Sequence, residues 1–137
     1  MRLWMRCILA AVAVNGCTVP DQVQLHNNTG AGLAITACGK TERIGGGLTF
    51  ITYLCGGVVV IESDRWRWVY SGFPLNWDNG VIAAYGLRTS RGNRLLDLQL
   101  ESDGSVLLVL PPQQYPAAPD IAQPAGFPIR PTETVPK

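Results

Sequence analysis

The sequence predicts an all-β domain: a small antiparallel β-sandwich or barrel of about eight strands, followed by a disordered proline-rich tail. Three observations support this fold class. Between positions 22 and 110, short alternating or apolar runs are separated by turn residues, and no persuasive helical period follows the N-terminus. From position 111 onward, the chain holds eight of its ten prolines. Such a segment has too little apolar surface to fold alone.

Five strand-sized runs occupy the first half of the domain. They alternate with period two, or they are rich in the apolar, β-branched and aromatic residues that strands favour. The fourth run, 58–61, is apolar throughout, which indicates a central strand. The five runs are the Val23/Leu25 stretch, Leu33 to Ala37, Leu48 to Leu54, Val58 to Ile61 and Arg65 to Tyr70, with turn clusters at Asn27 to Gly30 and Gly45 to Gly47.

Three aromatic residues of the fifth run share one strand face, because side chains alternate along a strand. They are Trp66, Trp68 and Tyr70. They form either a platform for a glycan or a partner's apolar groups, or part of the core. The core is favoured, since a domain of ~90 residues needs bulky side chains to fill it. Trp77, in the Pro/Asn/Gly-rich connection that follows, is the better candidate for an exposed binding residue.

The clearest hairpin lies between Arg94 and Leu110, after a further strand at Val81 to Leu87. Leucines alternate with polar residues up to Glu101, and Asp103-Gly104 is a type I′ turn signal. The apolar residues that follow form the returning strand.

The net charge of +1 gives no basic excess, so nucleic acid is not an expected partner. Arginines gather at 88, 91 and 94, but Asp97 and Glu101 follow closely. A solvated hairpin end is therefore expected there.

The first sixteen residues have the three parts of a secretory signal peptide. Arg2 and Arg6 form the basic start, residues 7–14 form a short apolar core, and Gly16 precedes the cut. The apolar run is far shorter than the ~20 residues of a membrane-spanning helix.

The stretch Val14-Asn15-Gly16-Cys17 resembles the lipobox of bacterial lipoproteins. In that family the cysteine thiol is acylated and becomes the new N-terminus, so the resemblance implies a lipid on Cys17. Thr18 after the cysteine implies the outer membrane. The alternative is an ordinary signal peptide cut nearby, which leaves Cys17 for a disulfide.

Cys38 and Cys55 are the remaining cysteines, each at the end of a strand-like run and before glycine. In an exported protein a disulfide between them is expected. It would close a loop of about 18 residues, worth ~3 kcal/mol in the chain-entropy model. Two buried free thiols are the alternative. Two thiols and one histidine do not make a convincing zinc site, so no metal or cofactor is expected.

The sequence predicts no catalytic centre. His26 is the only histidine and is expected to face solvent at a strand end, with no nucleophile motif near any serine. The glycines at 45–47 are not followed by Lys-Ser/Thr, so they are not a phosphate loop. Glu62 and Asp64 could act as a pair of carboxylates, as in glycosidases, only if the strand continues past Ile61 and places both on one face. A non-enzyme is therefore predicted.

The tail, residues 111–137, is either a flexible spacer or a docking peptide with Tyr115 and Phe127 as anchors. The predicted organisation is a signal peptide (1–16), a linker (17–21), a β-domain (22–110) and this tail. With the lipobox, it predicts an outer-membrane lipoprotein facing the periplasm that binds an envelope protein or peptidoglycan. The alternatives are an inhibitor, immunity or exclusion lipoprotein that blocks an enzyme or receptor, and a subunit similar to phage outer-membrane spanins.

Overall fold

The computed structural model describes residues 22–53, 57–71, 87–88, 94–110 and 114–137. These residues form ten strands in two sheets and contain no helix, which confirms the all-β prediction. The strands are β1 (Gln22–Asn27), β2 (Leu33–Ala37), β3 (Lys40–Ile44), β4 (Thr49–Tyr53), β5 (Val59–Glu62), β6 (Trp66–Tyr70), β7 (Leu87–Arg88), β8 (Arg94–Leu100), β9 (Val106–Leu108) and β10 (Glu133–Pro136).

The first sheet has the order β4-β1-β8-β7, with β9 also paired to β8. Its pairs are antiparallel except for β1 and β8, which are parallel from Gln22 opposite Leu95 to Asn27 opposite Leu100. A parallel pair requires a long crossover connection. Here the crossover includes most of the second sheet. The alternation within β1 or β8 carries no information on which distant strand lies beside it, so it does not predict the parallel pairing.

The second sheet has the order β10-β6-β5-β2-β3 and is antiparallel throughout. Strands β2 and β3 are joined by the two-residue turn Cys38-Gly39, where both φ angles are positive (55° and 72°). Positive φ at both central positions is the requirement of a type I′ turn. The sequence did not predict β3, because residues 40–43 are polar and exposed and its apolar signal is confined to Ile44.

One hydrophobic core contains side chains from both sheets, so the sheets pack as a sandwich. The sequence-predicted aromatic face is divided: Trp68 and Tyr70 are 2% and 1% exposed, whereas Trp66 is 39% exposed. The prediction that these aromatics belong to the core is therefore confirmed for two of the three. The buried core is Val23, Leu25, Leu33, Ile35, Ala37, Ile44, Val59, Ile61, Trp68, Tyr70, Leu96, Leu98, Leu100, Val106 and Leu108.

The β8–β9 hairpin is present, but its predicted type I′ turn is wrong. The Gly104 N–H donates to the Glu101 carbonyl at 3.0 Å, and the Glu101 N–H donates to the Ser105 carbonyl at 2.8 Å. Gly104 has φ of 85°, while Asp103 has no positive φ. This is the three-residue loop that ends in a left-handed glycine. Oδ1 of Asp103 accepts the Ser105 N–H at 2.8 Å, which stabilises Asp103 in its ordinary conformation.

The predicted disordered tail is wrong for residues 114–137, which are part of the sandwich. Strand β10 pairs with β6, Ile129 forms a bridge with Val106, and Ala117 is 4% exposed. Phe127 packs against the core. The tail has few apolar residues of its own, but the sandwich supplies packing and backbone partners that composition does not show.

Two side-chain amides supply some of those partners. Gln99, which is fully buried, donates to the Ala117 carbonyl at 2.9 Å and accepts the Ala117 N–H at 2.7 Å. Gln123 accepts the Leu108 N–H at 2.8 Å and donates to the Leu108 carbonyl at 2.9 Å. Two glutamines thus fasten the proline-rich segment to β8 and β9 through backbone groups. The boundary predicted at 111 lies outside the described residues.

Candidate functional site

A groove opens at one end of the sandwich, and we call it the end groove. Trp66 lies on the same face of β6 as the two core aromatics, but at the first residue of the strand, where the opposite sheet no longer covers it. The groove has a volume of about 390 Å³. It is lined by the β1–β2 loop (Thr29, Gly30 and Ala31), the β5–β6 turn (Ser63, Asp64 and Arg65), the β8–β9 hairpin (Ser102) and the indoles of Trp66 and Trp68.

The first wall of the end groove is held by Asn27, which is fully buried. Its side-chain oxygen accepts from the N–H and the hydroxyl of Thr29 at 3.0 and 2.7 Å. Its side-chain nitrogen donates to the carbonyls of Ala31 at 2.7 Å and Gly45 at 3.1 Å. One asparagine thereby satisfies the backbone of two loops. The turn cluster predicted from Asn27 to Gly30 is confirmed, and its first residue organises it.

The second wall is the tight turn between β5 and β6. The Ser63 N–H donates to the Trp66 carbonyl at 2.8 Å. The Ser63 hydroxyl oxygen accepts the N–H groups of Arg65 and Trp66 at 3.2 and 3.0 Å. Asp64 and Arg65, at the tip of this turn, are exposed and line the end groove together with Trp66.

The third wall is the β8–β9 hairpin, which is fastened to β6. The Tyr70 hydroxyl donates to the Gly104 carbonyl at 2.6 Å, and burial raises the pKa of this phenol. A Cβ added at Gly104 would lie 2.7 Å from the Trp68 ring, so backbone and indole are in close contact. The loop that carries Ser102 is consequently positioned by the core. All three walls are held by hydrogen bonds within the sandwich.

A second, larger depression adjoins the end groove, and we call it the lateral depression. It has a volume of about 690 Å³ and shares Ser63 and Asp64 with the end groove. Thr36 and Thr41 line it, with their hydroxyl oxygens 2.8 Å apart. The remaining lining residues are Gly32, Leu33, Ala34, Arg43, Ile44, Gly45, Glu62 and Lys137.

A salt bridge lies at the rim of the lateral depression. Nζ of Lys137, the last residue, is 3.0 Å from Oε2 of Glu62. The hydrogen bond from Lys137 lowers the pKa of Glu62. Glu62 ends β5 and Asp64 lies in the following turn, so the two carboxylates do not form the strand-borne pair that the sequence left open.

His26 lies on the outer face of the first sheet, where it is buried. The prediction that this histidine faces solvent is therefore wrong. It is 6% exposed, because the ring of Tyr115 stacks on it with centroids 4.8 Å apart. Its Nδ1 lies 2.7 Å from the Thr49 hydroxyl. Burial lowers the pKa of His26, against an opposing effect of the Glu101 carboxylate. Histidine and tyrosine here fasten the C-terminal segment to the sheet.

Asp97 lies beside this stack. The Tyr115 hydroxyl donates to the Gln24 carbonyl at 3.1 Å and also contacts the Asp97 carboxyl. Burial raises the pKa of Asp97, and the Tyr115 hydroxyl opposes that rise. Oδ1 of Asp97 has no hydrogen-bond partner among the described residues. The cluster fastens Tyr115 to the outer face of the first sheet.

Several sequence-predicted site residues are not brought together. Cys17, Cys55 and Trp77 lie outside the described residues. Cys38 is disulfide-bonded, and its partner also lies outside them, so pairing with Cys55 stays a prediction. Trp68 and Tyr70 are core residues, while Tyr115 and Phe127 pack onto the sandwich. Of the described aromatic candidates, Trp66 alone has a large exposed surface in a groove.

The predicted hairpin end near the arginines is confirmed in its backbone, since Arg88 pairs with Arg94 across β7 and β8. Arg91 lies outside the described residues. Thr29 and Ser102 line the end groove but were not predicted from the sequence to be binding residues. Both residues lie in turn clusters of the sequence. That position was the one signal available, because loops at one end of a rigid sandwich commonly form binding sites.

Within the part of the chain that the structure describes, no helix could span a membrane, and no group of three or more acidic, histidine or cysteine residues could hold a metal ion. Comparison with protein-family models, characterised sequences and solved structures finds no match. The class that the geometry defines is an all-β sandwich with a polar and aromatic groove at one end.

Proposed function

We propose that the chain is a non-catalytic binding module, tethered to the outer membrane through Cys17 and facing the periplasm, which takes its envelope ligand in the end groove. The observation that carries the proposal is the position of that groove relative to the predicted tether. Strand β1 begins at Gln22 and ends at Asn27, and the first groove wall follows directly. The groove therefore lies at the end of the sandwich opposite the point where the chain enters.

The tether would hold the sandwich close to the membrane. Gln22 stands five positions after Cys17, a span of at most ~18 Å. Strand β1 adds six residues, about 20 Å, between that entry and the groove. A module attached in this way presents the end groove away from the lipid surface, where a periplasmic ligand can reach it.

Two features support binding rather than catalysis. The groove combines one exposed indole with hydroxyl, carboxylate and guanidinium groups, which is typical of recognition surfaces. His26, the only histidine of the chain, is stacked on Tyr115 and bonded to Thr49, away from the groove-lining residues.

Fewer observations support the two alternative functions, a spanin-like subunit and an inhibitor or immunity lipoprotein. The likeness to spanin subunits rests on the lipobox and on the proline-rich composition of the tail alone, and residues 114–137 are folded onto the sandwich. An inhibitor or immunity role rests on the connection around Trp77, which is outside the described residues. The tail is accordingly no longer proposed as a docking arm.

The tether is tested with Cys17→Ser. This change should release the protein from membranes, since the apolar leader is too short to hold it. Fractionation followed by a carbonate wash measures the release. A mutant that stays in the washed pellet would contradict lipid anchoring.

The groove is tested separately with Trp66→Ala in the full chain, by cross-linked capture from envelope extracts. The mutant should lose the partners that the unmodified protein captures. Val58→Ala is the matched control, since Val58 is 58% exposed and lines neither depression. An unchanged set of partners in Trp66→Ala would refute the groove as the binding site.

A further inference from the structure

We propose that the end groove and the lateral depression together bind a linear, neutral saccharide chain, with Trp66 as the stacking platform for one sugar ring. This inference deepens the proposed function and rests on it. Nothing in the fold class requires it. The support comes from four properties of the described surface: its single exposed indole, its polar complement, its length and the chemistry of the neighbouring sheet edges.

Among the described residues that line either depression, Trp66 is the one large apolar residue whose side chain is exposed. The other two exposed large apolar residues in the described part of the chain, Leu48 and Val58, line neither. Protein partners are usually held by clusters of buried anchors. A pyranose ring, in contrast, presents one flat face of C–H groups, and a single indole face suffices to cover it.

The polar groups beside the indole suit a ring of hydroxyls. Asp64 accepts hydrogen bonds, Arg65 donates them, and the Ser102 hydroxyl does both. Sugar hydroxyls also donate and accept, so each can be satisfied here. The carboxylate and the guanidinium balance in charge, which favours a neutral sugar over an anionic one.

The length of the surface favours a chain over a single sugar. The depressions of about 390 and 690 Å³ share Ser63 and Asp64, so a ligand that leaves Trp66 and crosses the β5–β6 turn reaches the depression over β2 and β3. There it meets the hydroxyl-rich and charged strip formed by Thr36, Thr41 and Arg43. A linear saccharide offers hydroxyls at every unit along this path.

The neighbouring sheet edges disfavour an extended peptide that adds a strand. Strand β3 is an edge of the second sheet, and its exposed side chains include Lys40, Glu42 and Arg43. Charged side chains on an edge protect it from strand addition. At the other edge, β10 ends with Pro136, which has no N–H to donate.

The experiment is calorimetric titration of the full chain, purified in detergent, with a linear β-1,4-linked N-acetylglucosamine tetramer. Cellotetraose is the second probe, and the two monosaccharides are used for comparison. These linkages are equatorial, so successive rings keep their flat faces accessible. Binding of at least one tetramer is expected, tighter than its monosaccharide by about tenfold, because only a chain reaches both depressions.

Variants locate the bound chain. Trp66→Ala should weaken tetramer binding by about tenfold or more, and Trp66→Phe by less, since a smaller aromatic face remains. Arg43→Ala should weaken the tetramer but leave the monosaccharide unchanged. Val58→Ala should change neither. Circular dichroism of each variant checks that it is folded, and loss of binding only in unfolded variants would overturn the assignment.

The outcomes separate this inference from the proposed function. No heat of binding for either tetramer at millimolar concentration would overturn the saccharide assignment. If Trp66→Ala nevertheless lost captured envelope partners, the groove would bind a protein, and the proposed function would stand. Tetramer binding that Trp66→Ala leaves unchanged would overturn the placement of the sugar on the indole.

Discussion

The sharpest test of the packing is Gly104→Ala in the β8–β9 hairpin. Gly104 is buried and has φ of 85°, a conformation that costs an L-residue ~1–2 kcal/mol. The new Cβ would also lie 2.7 Å from two atoms of the Trp68 ring. That indole is 2% exposed and cannot swing away, so overpacking adds ~1–3 kcal/mol. The free energy of unfolding should fall by ~2–5 kcal/mol in total.

The matched control is Gly47→Ala. Gly47 has φ of 70°, but no atom lies within 4 Å of its added Cβ, so it reports backbone strain alone. The effect of alanine on the unfolded chain is common to both variants and cancels. Urea denaturation of both proteins should therefore show Gly104→Ala to be less stable by ~1–3 kcal/mol. Equal losses, within ~0.5 kcal/mol, would refute the contact between the hairpin and Trp68.

Three further predictions concern the C-terminal segment and the sheet that it covers. Deleting residues 114–137 should lower the free energy of unfolding by at least ~3 kcal/mol in urea titrations, since apolar burial and backbone partners are lost; an unchanged midpoint would mean an independent tail. Gln99→Leu should cost ~2–4 kcal/mol, because the buried N–H and C=O of Ala117 lose their partners; a near-neutral change, again by urea titration, would contradict those bonds. Burial lowers the pKa of His26, so on acidification the unfolded chain takes up its proton before the folded one does. Stability from this group is therefore complete above about pH 6.5 and falls below it, and His26→Gln should remove that part of the pH dependence measured by thermal melting.

Local patterns determined a large part of this protein. The alternating leucines of β8, the apolar run of β5 and the turn cluster after β1 were all predicted, because period two and turn chemistry act between neighbours in the chain. The same patterns predicted the all-β class. They also placed Trp66, Trp68 and Tyr70 on one face, since alternation does not depend on what the strand packs against.

Only the tertiary structure decided which of those three aromatics reaches solvent. Alternation specifies the face of a strand but not the point along it where the opposing sheet ends, and Trp66 lies beyond that point. The same reason applies to His26 and to the tail. His26 has the alternation of an outward residue, yet the ring of Tyr115 covers it from 89 positions away. Composition made the tail appear unable to fold, but Gln99 of β8 satisfies the backbone of Ala117 in the tail, and Gln123 of the tail satisfies the backbone of Leu108 in β9. Partners so far apart in sequence leave no local signal, and they are brought together only when the two sheets pack.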